Sequence, residues 1–157
     1  MIRVLFVCMG NICRSPMAEA VFVQLVRDAG LSHTFEIDSA GTIDWHAGEK
    51  AHRGTLEVLR RNNIPYDGRS RPLRSADLDK FDYIVVMDKQ NLADAQHIFG
   101  RYDPRLTMFM EYANKAGLTE VTEVPDPYYS GGFDEVYDLV TTGGRALLAH
   151  IREKEFH

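Results

Sequence analysis

Cys8 and Arg14 are the residues near the start of the chain whose types and spacing suggest chemistry. They lie in VLFVCMGNICRSPMAEAVF (4–22), where an apolar run ends in a cysteine, five residues lead to an arginine, and Ser15-Pro16 opens the next element. A connection of this length between a strand and a helix can curl until several backbone N–H groups converge. With the helix dipole behind them, they form an anion nest. Gly10 and Asn11 are residue types that tolerate the left-handed backbone such a curl needs. Arg14, at the end of the loop, can fold its planar fork over the mouth and grip two oxygens of a phosphate. Cys8 would lie on the floor. A thiol among N–H donors, a helix N-terminus and an arginine is in the setting in which cysteines act as nucleophiles. The stretch therefore reads as a cradle for a tetrahedral oxyanion with sulfur beneath its central atom. Met9, Ile12 and Cys13 complete the loop and Ser15 stands at its exit. The competing reading is a strand-end cysteine that packs as a small hydrophobe. Glycine, asparagine and Arg-Ser-Pro in one strand-loop-helix context weigh against it. The ATP-binding pattern G-x-x-x-x-G-K-[ST] is absent, and no lysine occurs between Met1 and Ala29.

The elements that must position this loop can be read from periodicity and punctuation. Ile2–Val7 is a β-branched and aromatic run with little alternation, the pattern of a buried strand. Ser15 at the N-cap and Pro16 at the first helical position predict a helix that runs to Gly30. Further strands are expected at Phe35–Ala40, Tyr83–Met87 and Leu106–Met110, and helices at Ala51–Arg61, Leu92–Phe99 and Asp134–Lys154. In the last helix Val136, Val140, Leu147 and Ile151 share a face, while Gly143-Gly144 implies either close packing or a break. PDPYYSGG (125–132) is a loop by composition. Strands alternating with helices predict an α/β fold, with a mostly parallel sheet covered by helices on both faces. Ligands of such sheets bind beyond the carboxyl ends of the strands, where CMGNICRS lies.

Bulk properties narrow the function classes. The 157 residues show no repeat, linker or low-complexity tract, so one domain spanning 1–157 is expected. A net charge of −5 argues against a dedicated nucleic-acid binder and leaves room for one local positive pocket. No apolar run approaches membrane-spanning length, and Val4–Val7 is too short for a signal-peptide core. The two cysteines do not make a secreted disulfide scaffold, so a cytoplasmic protein with reduced thiols is expected. The six histidines (33, 46, 52, 97, 150 and 157) form no chelating motif, and no metal site is expected.

VCMGNICRSP, from Val7 to Pro16, resembles the signature of the low-molecular-weight protein tyrosine phosphatases, V-C-x-G-N-x-C-R-S-P. The resemblance continues through DSAGT (38–42), FDYIVVMDKQN (81–91) and VPDPYYSGG (124–132), and so covers essentially the whole chain. It implies a four-stranded parallel sheet flanked by helices and a phosphatase that needs no metal or organic cofactor. It also implies three catalytic residues: Cys8 as nucleophile, Arg14 holding phosphoryl oxygens, and Asp126 as general acid and then base. Read without the resemblance, Asp126 is one of 23 acidic residues, and a loop carboxylate is ordinarily solvated or caps a turn. The stiffening Pro125 and Pro127, with Tyr128 and Tyr129 following, suit an acid beside a pocket. By the same resemblance Ser15 donates its hydroxyl to the Cys8 sulfur; a simple N-cap is the other reading, and the two are compatible. Asn11 matches the residue that fixes the loop's shape. Cys13 matches a second thiol able to close a disulfide with Cys8 on oxidation, plain packing being an equal alternative. Glu19, inside the matched run, is expected on the helix surface.

The resemblance further implies a slot lined by Met9, Ile12, Trp45, Tyr128 and Tyr129, so deep that Cys8 reaches phosphorus on phosphotyrosine and not on the shorter phosphoserine. Trp45, the only tryptophan, sits in the polar stretch GTIDWHAGEK, with a core anchor as the other reading. Relatives acting on phosphoarginine carry threonine in place of Ile12 and lack the tyrosine pair. Tyrosine-phosphorylated proteins or peptides are therefore the expected partners, and inorganic phosphate the expected product ligand. Arsenate reductases of similar fold need further cysteines than the two present. A phosphate-binding module without turnover would need neither Cys8 nor Asp126. A thiol-redox protein of the common type would use C-x-x-C, whereas four residues separate Cys8 from Cys13. Arg69, Arg71 and Arg74 would either favour acidic phosphopeptides or form a solvated or structural group; Ser70 between them has no expected role.

Overall fold

The run IRVLFVC has no polar alternation because both of its faces are covered. In the computed structural model it forms β1 (Ile2–Cys8), from which Val4, Phe6 and Cys8 enter one apolar cluster and Leu5 and Val7 the other. The structure describes residues 1–156; His157 lies outside the described residues. After β1 the order is α1 (Arg14–Asp28), a 3₁₀ turn (Ser32–Thr34), β2 (Phe35–Gly41), α2 (Arg53–Arg61) and α3 (Asp77–Lys80). Then follow β3 (Tyr83–Val86), α4 (Lys89–Phe99), β4 (Leu106–Met108), α5 (Glu111–Lys115) and α6 (Phe133–Glu155). The four strands are all parallel, in the order β2-β1-β3-β4. Chain direction along the sheet reverses at β1, so the carboxyl ends of β1 and β3 bound a crevice of the kind that holds ligands in such folds. Among the described residues no helix is long and apolar enough to cross a membrane.

The expected elements are present, with differences at their ends that have local causes. Ser15 does not cap α1: the helix begins at Arg14 and its N-cap, Cys13, makes no side-chain cap bond. Helix α4 begins at Lys89, earlier than its first periodic apolar residue, because Asp88 Oδ1 accepts the Asn91 N–H at 2.7 Å. The 3₁₀ turn, α3 and α5 were not expected from the sequence. Pieces of three to five residues are too short to show a helical period.

Gly143 and Gly144 mark close packing, and α6 runs through them unbroken. A Cβ on Gly143 would lie 2.9 Å from the Phe109 ring, and one on Gly144 would lie 3.0 Å from a terminal methyl of Leu25. Phe109 is wholly buried and in edge contact with Phe6, so it cannot retreat, whereas the end of the Leu25 side chain can. Gly143→Ala is therefore expected to destabilise. Its overpacking cost of about 1–3 kcal/mol exceeds the ~1 kcal/mol that alanine gains in a helix. Gly144→Ala is expected to be neutral or mildly stabilising. Urea unfolding of the two variants checks the difference in sign.

Candidate active site

The loop between β1 and α1 is held from outside by its carbonyls. Cys8 O accepts the Thr42 N–H at 3.0 Å, Met9 O the Ile43 N–H at 3.1 Å, and Ile12 O the His52 N–H at 2.7 Å. Gly10 O accepts the Ser70 hydroxyl at 3.1 Å, and Cys13 O the Thr55 hydroxyl at 3.0 Å. A planar trans peptide aims its N–H opposite to its C=O. Turning these five carbonyls outward thus turns the N–H groups of Met9, Gly10, Asn11, Cys13 and Arg14 inward. The Asn11 N–H, 3.3 Å from Cys8 Sγ, is the one that meets the sulfur. Asn11 takes the left-handed backbone (φ 57°) that the sequence reading assigned to the Gly10-Asn11 pair. Its side chain also sets the loop's shape, accepting the Arg71 N–H on Oδ1 at 3.0 Å.

A directed chain of hydrogen bonds runs behind the sulfur. Asn11 Nδ2 donates to Ser15 Oγ at 2.8 Å and to Ser39 Oγ at 3.0 Å, and Ser39 donates to Glu19 Oε1 at 2.5 Å. Because the Ser15 oxygen already accepts from Asn11, its own proton is free for Cys8 Sγ at 3.1 Å. Glu19 is therefore not on the open helix surface, as expected from sequence. It is half-buried, with Tyr66 OH donating to the same Oε1 at 3.0 Å. Burial pushes its carboxyl up to about 7, against the lowering effect of the Ser39 and Tyr66 bonds. Burial, and then the charges of Cys8 and Asp126, push the Cys13 thiol up to about 12. Both thiols are free and buried.

Arg14 is only 3% exposed. Its Nη1 donates to Asp88 Oδ2 at 2.6 Å and to Val124 O at 2.9 Å, and Nη2 lies 3.7 Å from Asp126 Oδ2. Burial opposes its charge, but Cys8, the Asp88 bond and the Asp126 charge outweigh that, so its pKa rises above the ordinary value. Nε is buried and has no hydrogen-bond partner among the described residues. Asp126 is held from its other side, Oδ1 accepting the Tyr128 N–H at 3.0 Å. Cys8, Arg14 and Asp126 line one pocket of about 200 Å³ with Met9, Ile12, Trp45, Tyr128 and Tyr129, the residues expected for the slot. Trp45 is 77% exposed at its edge, which removes the core-anchor reading.

Several residues near the pocket were not legible as site residues. Asp88 was expected only as part of a matched stretch, and its D-K-Q-N cap pattern was the available signal. His46 and Ile43 also line the pocket. Arg71 is structural: it bridges Asp38 and Asp77, each at 3.0 Å, and so holds its own N–H on Asn11. Ser70 braces the loop. Among the described residues no three acidic, cysteine or histidine side chains gather as a metal-holding group.

Residues 3–156 match the model of the family described as low molecular weight phosphotyrosine protein phosphatase. The chain belongs to this family. It is 45% identical over 157 residues to the low molecular weight protein-tyrosine-phosphatase YfkJ of Bacillus subtilis, covering 99% of both chains. The YfkJ crystal structure superposes with a TM-score of 0.94 at 44% identity, over 99% of this chain and 97% of that one. The family enzyme PtpA of Staphylococcus aureus is 42% identical over 151 residues, which is 96% of this chain and 94% of PtpA. A crystal structure of a Drosophila arginine phosphatase shares the fold at 30% identity and a TM-score of 0.86, covering 95% and 97% of the two chains.

The Glu19 carboxyl makes stability depend on pH. Its folded value lies above the ordinary carboxyl value of 4.5, so between 4.5 and about 7 the folded chain keeps a proton that the unfolded chain releases. This group's contribution to stability is therefore present at low pH and lost as pH rises through that window. Glu19→Gln keeps an acceptor for Ser39 and Tyr66 and removes the charge. Its stability relative to wild type should rise between pH 5 and pH 8 by on the order of 3 kcal/mol. Urea titrations across that range check this, and a difference independent of pH contradicts it.

Proposed function

We propose that the chain is a single-domain protein tyrosine phosphatase that hydrolyses phosphotyrosine monoesters in two steps, through a phosphocysteine on Cys8. The observation that carries this reading is the inward set of N–H groups around Cys8 Sγ, with Arg14 at the rim and Asp126 beside it. In the first step the Cys8 sulfur attacks phosphorus, the bond from phosphorus to the tyrosyl oxygen breaks, and Asp126 gives that oxygen its proton. The loop N–H groups and Arg14, including its unpartnered Nε, hold the equatorial oxygens. In the second step water attacks phosphorus and gives a proton to Asp126. The phosphorus–sulfur bond breaks, inorganic phosphate leaves, and the Ser15 hydroxyl at 3.1 Å stabilises the departing sulfur.

The pocket wall supports an aromatic substrate. Ile12 and Tyr128 offer apolar surface to a ring, and the isoleucine side chain has no acceptor for the N–H groups of a phosphorylated guanidinium. The natural substrates on this reading are tyrosine-phosphorylated proteins or peptides in the cytoplasm. The test is hydrolysis of phosphotyrosine, phosphoserine and phosphoarginine peptides at mildly acidic pH in the presence of chelator. Phosphotyrosine alone is expected to turn over. Cys8→Ser should lower kcat/KM by roughly 10⁴-fold or more, and Asp126→Asn by about 10²–10⁴-fold. Preference for phosphoarginine would overturn the substrate assignment, and phosphate binding without turnover would overturn the enzyme reading.

A further inference from the structure

The 125–132 loop, which carries Asp126, is tied to the rest of the protein at few points. Val124 N–H donates to Met87 O at 2.9 Å where the loop begins, and Phe133 opens α6 where it ends. Within the loop, Asp126 approaches Arg14 at 3.7 Å, and Tyr128 reaches the histidines beside the phosphate loop. The Tyr128 backbone N–H holds Asp126 Oδ1 at 3.0 Å, so wherever Tyr128 sits, the carboxylate follows. The Tyr128 ring has two imidazole neighbours, His52 at 5.6 Å and 70°, and His46 at 6.0 Å and 46°.

Of these two rings, His52 is the one held by both its backbone and its side chain to several elements. Its backbone N–H donates to Ile12 O at 2.7 Å, in the phosphate loop itself. Its Nδ1 accepts the Gly54 N–H at 2.9 Å, capping α2 and placing the ring proton on Nε2. Its face lies on Phe133 at 4.9 Å and 22°. Phe133 is in turn seated on Gly54, where a Cβ would come within 2.5 Å of the ring. One half-buried histidine thus joins the phosphate loop, the start of α2, the start of α6 and the loop bearing Asp126.

We infer that His52 is a positioning residue for proton transfer: docked on Phe133 and against Tyr128, its ring holds the 125–132 loop so that Asp126 stays beside Arg14. The inference rests on the reading of Asp126 as general acid. The capping role of Nδ1 and the positioning role of the ring are separable, because different atoms perform them.

The test uses that separation. Values of kcat/KM are measured for aryl phosphates ranging from acidic nitrophenols to unsubstituted phenol, whose pKa is near that of tyrosine at about 10. This parameter reports the step in which the phenol leaves, and a well-placed acid makes it nearly insensitive to the leaving group. His52→Asn keeps a favoured N-cap acceptor and loses the ring. It is expected to lose some stability with the Phe133 stacking, and to lose roughly tenfold more kcat/KM on phenyl phosphate than on nitrophenyl phosphate while still folded, a misplaced-acid effect. His52→Phe keeps the ring and loses the cap; it should unfold at lower urea with the wild-type response to leaving group. Added to Asp126→Asn, His52→Asn should change that response no further. An equal loss on all substrates, no loss, or additivity with Asp126→Asn overturns the inference while the phosphatase reading stands. Failure of the wild-type chain to hydrolyse any aryl phosphate overturns both.

Discussion

The planarity of the peptide bond turns a set of outward contacts into an anion site. Five carbonyls of the loop are pulled away from its centre, and each fixed C=O compels the next N–H to face inward. The groups that pull come from elsewhere in the chain: Thr42 and Ile43 after β2, His52 and Thr55 at the start of α2, and Ser70 before α3. The nest therefore exists only when residues 42–70 are folded around it. Converging N–H dipoles repel one another, and the outer bonds supply the offset. In this sense the loop's shape belongs to the whole fold and not to the ten residues that display it.

The buried charges follow the same logic. Taking a guanidinium to 3% exposure is unfavourable unless its charge is met, and Arg14 gives Nη1 to Asp88 and Val124 O while Nε stays unpartnered. Asp88 serves twice, with Oδ1 starting α4 and Oδ2 orienting Arg14. It can do so because β3 pairs directly with β1, which brings the two carboxyl ends together. Arg71, between Asp38 and Asp77, is only partly buried, and its two ion pairs serve to present its backbone N–H to Asn11. Neither a buried nor a partly exposed ion pair is strong evidence for stability, so both read as devices for orientation.

What could be read from the sequence and what could not divide along the same line. The apolar runs IRVLFVC and YIVVM, and the helices punctuated by Gly30 and Gly100, are local patterns, and the sheet and its covering helices follow from them. Cys8, Asn11 and Arg14 are likewise legible, because a strand-loop-helix context gives their spacing meaning. Ser15 was legible as a hydroxyl at a helix start but not in its use, since the Cys8 and Asn11 contacts replace the capping bond. Glu19 was misplaced onto the surface because its partners, Ser39 and Tyr66, lie 20 and 47 residues away. Trp45, Asp126 and the tyrosine pair needed a family resemblance, since no periodicity distinguishes a pocket wall from an ordinary loop.

Floor and wall of the pocket are built by opposite means. At the floor Cys8, Asn11 and Ser15 are buried and mutually bonded, so the reacting geometry is set before any substrate arrives. The wall is the reverse: Trp45 is 77% exposed and Tyr129 90%, with little packing to hold either ring. Exposed aromatic surface gains when a second ring covers it, and it contributes nothing to a substrate that brings no ring. On the proposed reading, a phosphotyrosine fills both parts at once, its ring against the wall while its phosphate meets the N–H groups below. A phosphoserine that reached the same depth would leave the wall uncovered and draw the peptide backbone into the mouth. Discrimination thus needs no contact that recognises tyrosine as such; it follows from the distance between a rigid, polar floor and an apolar rim.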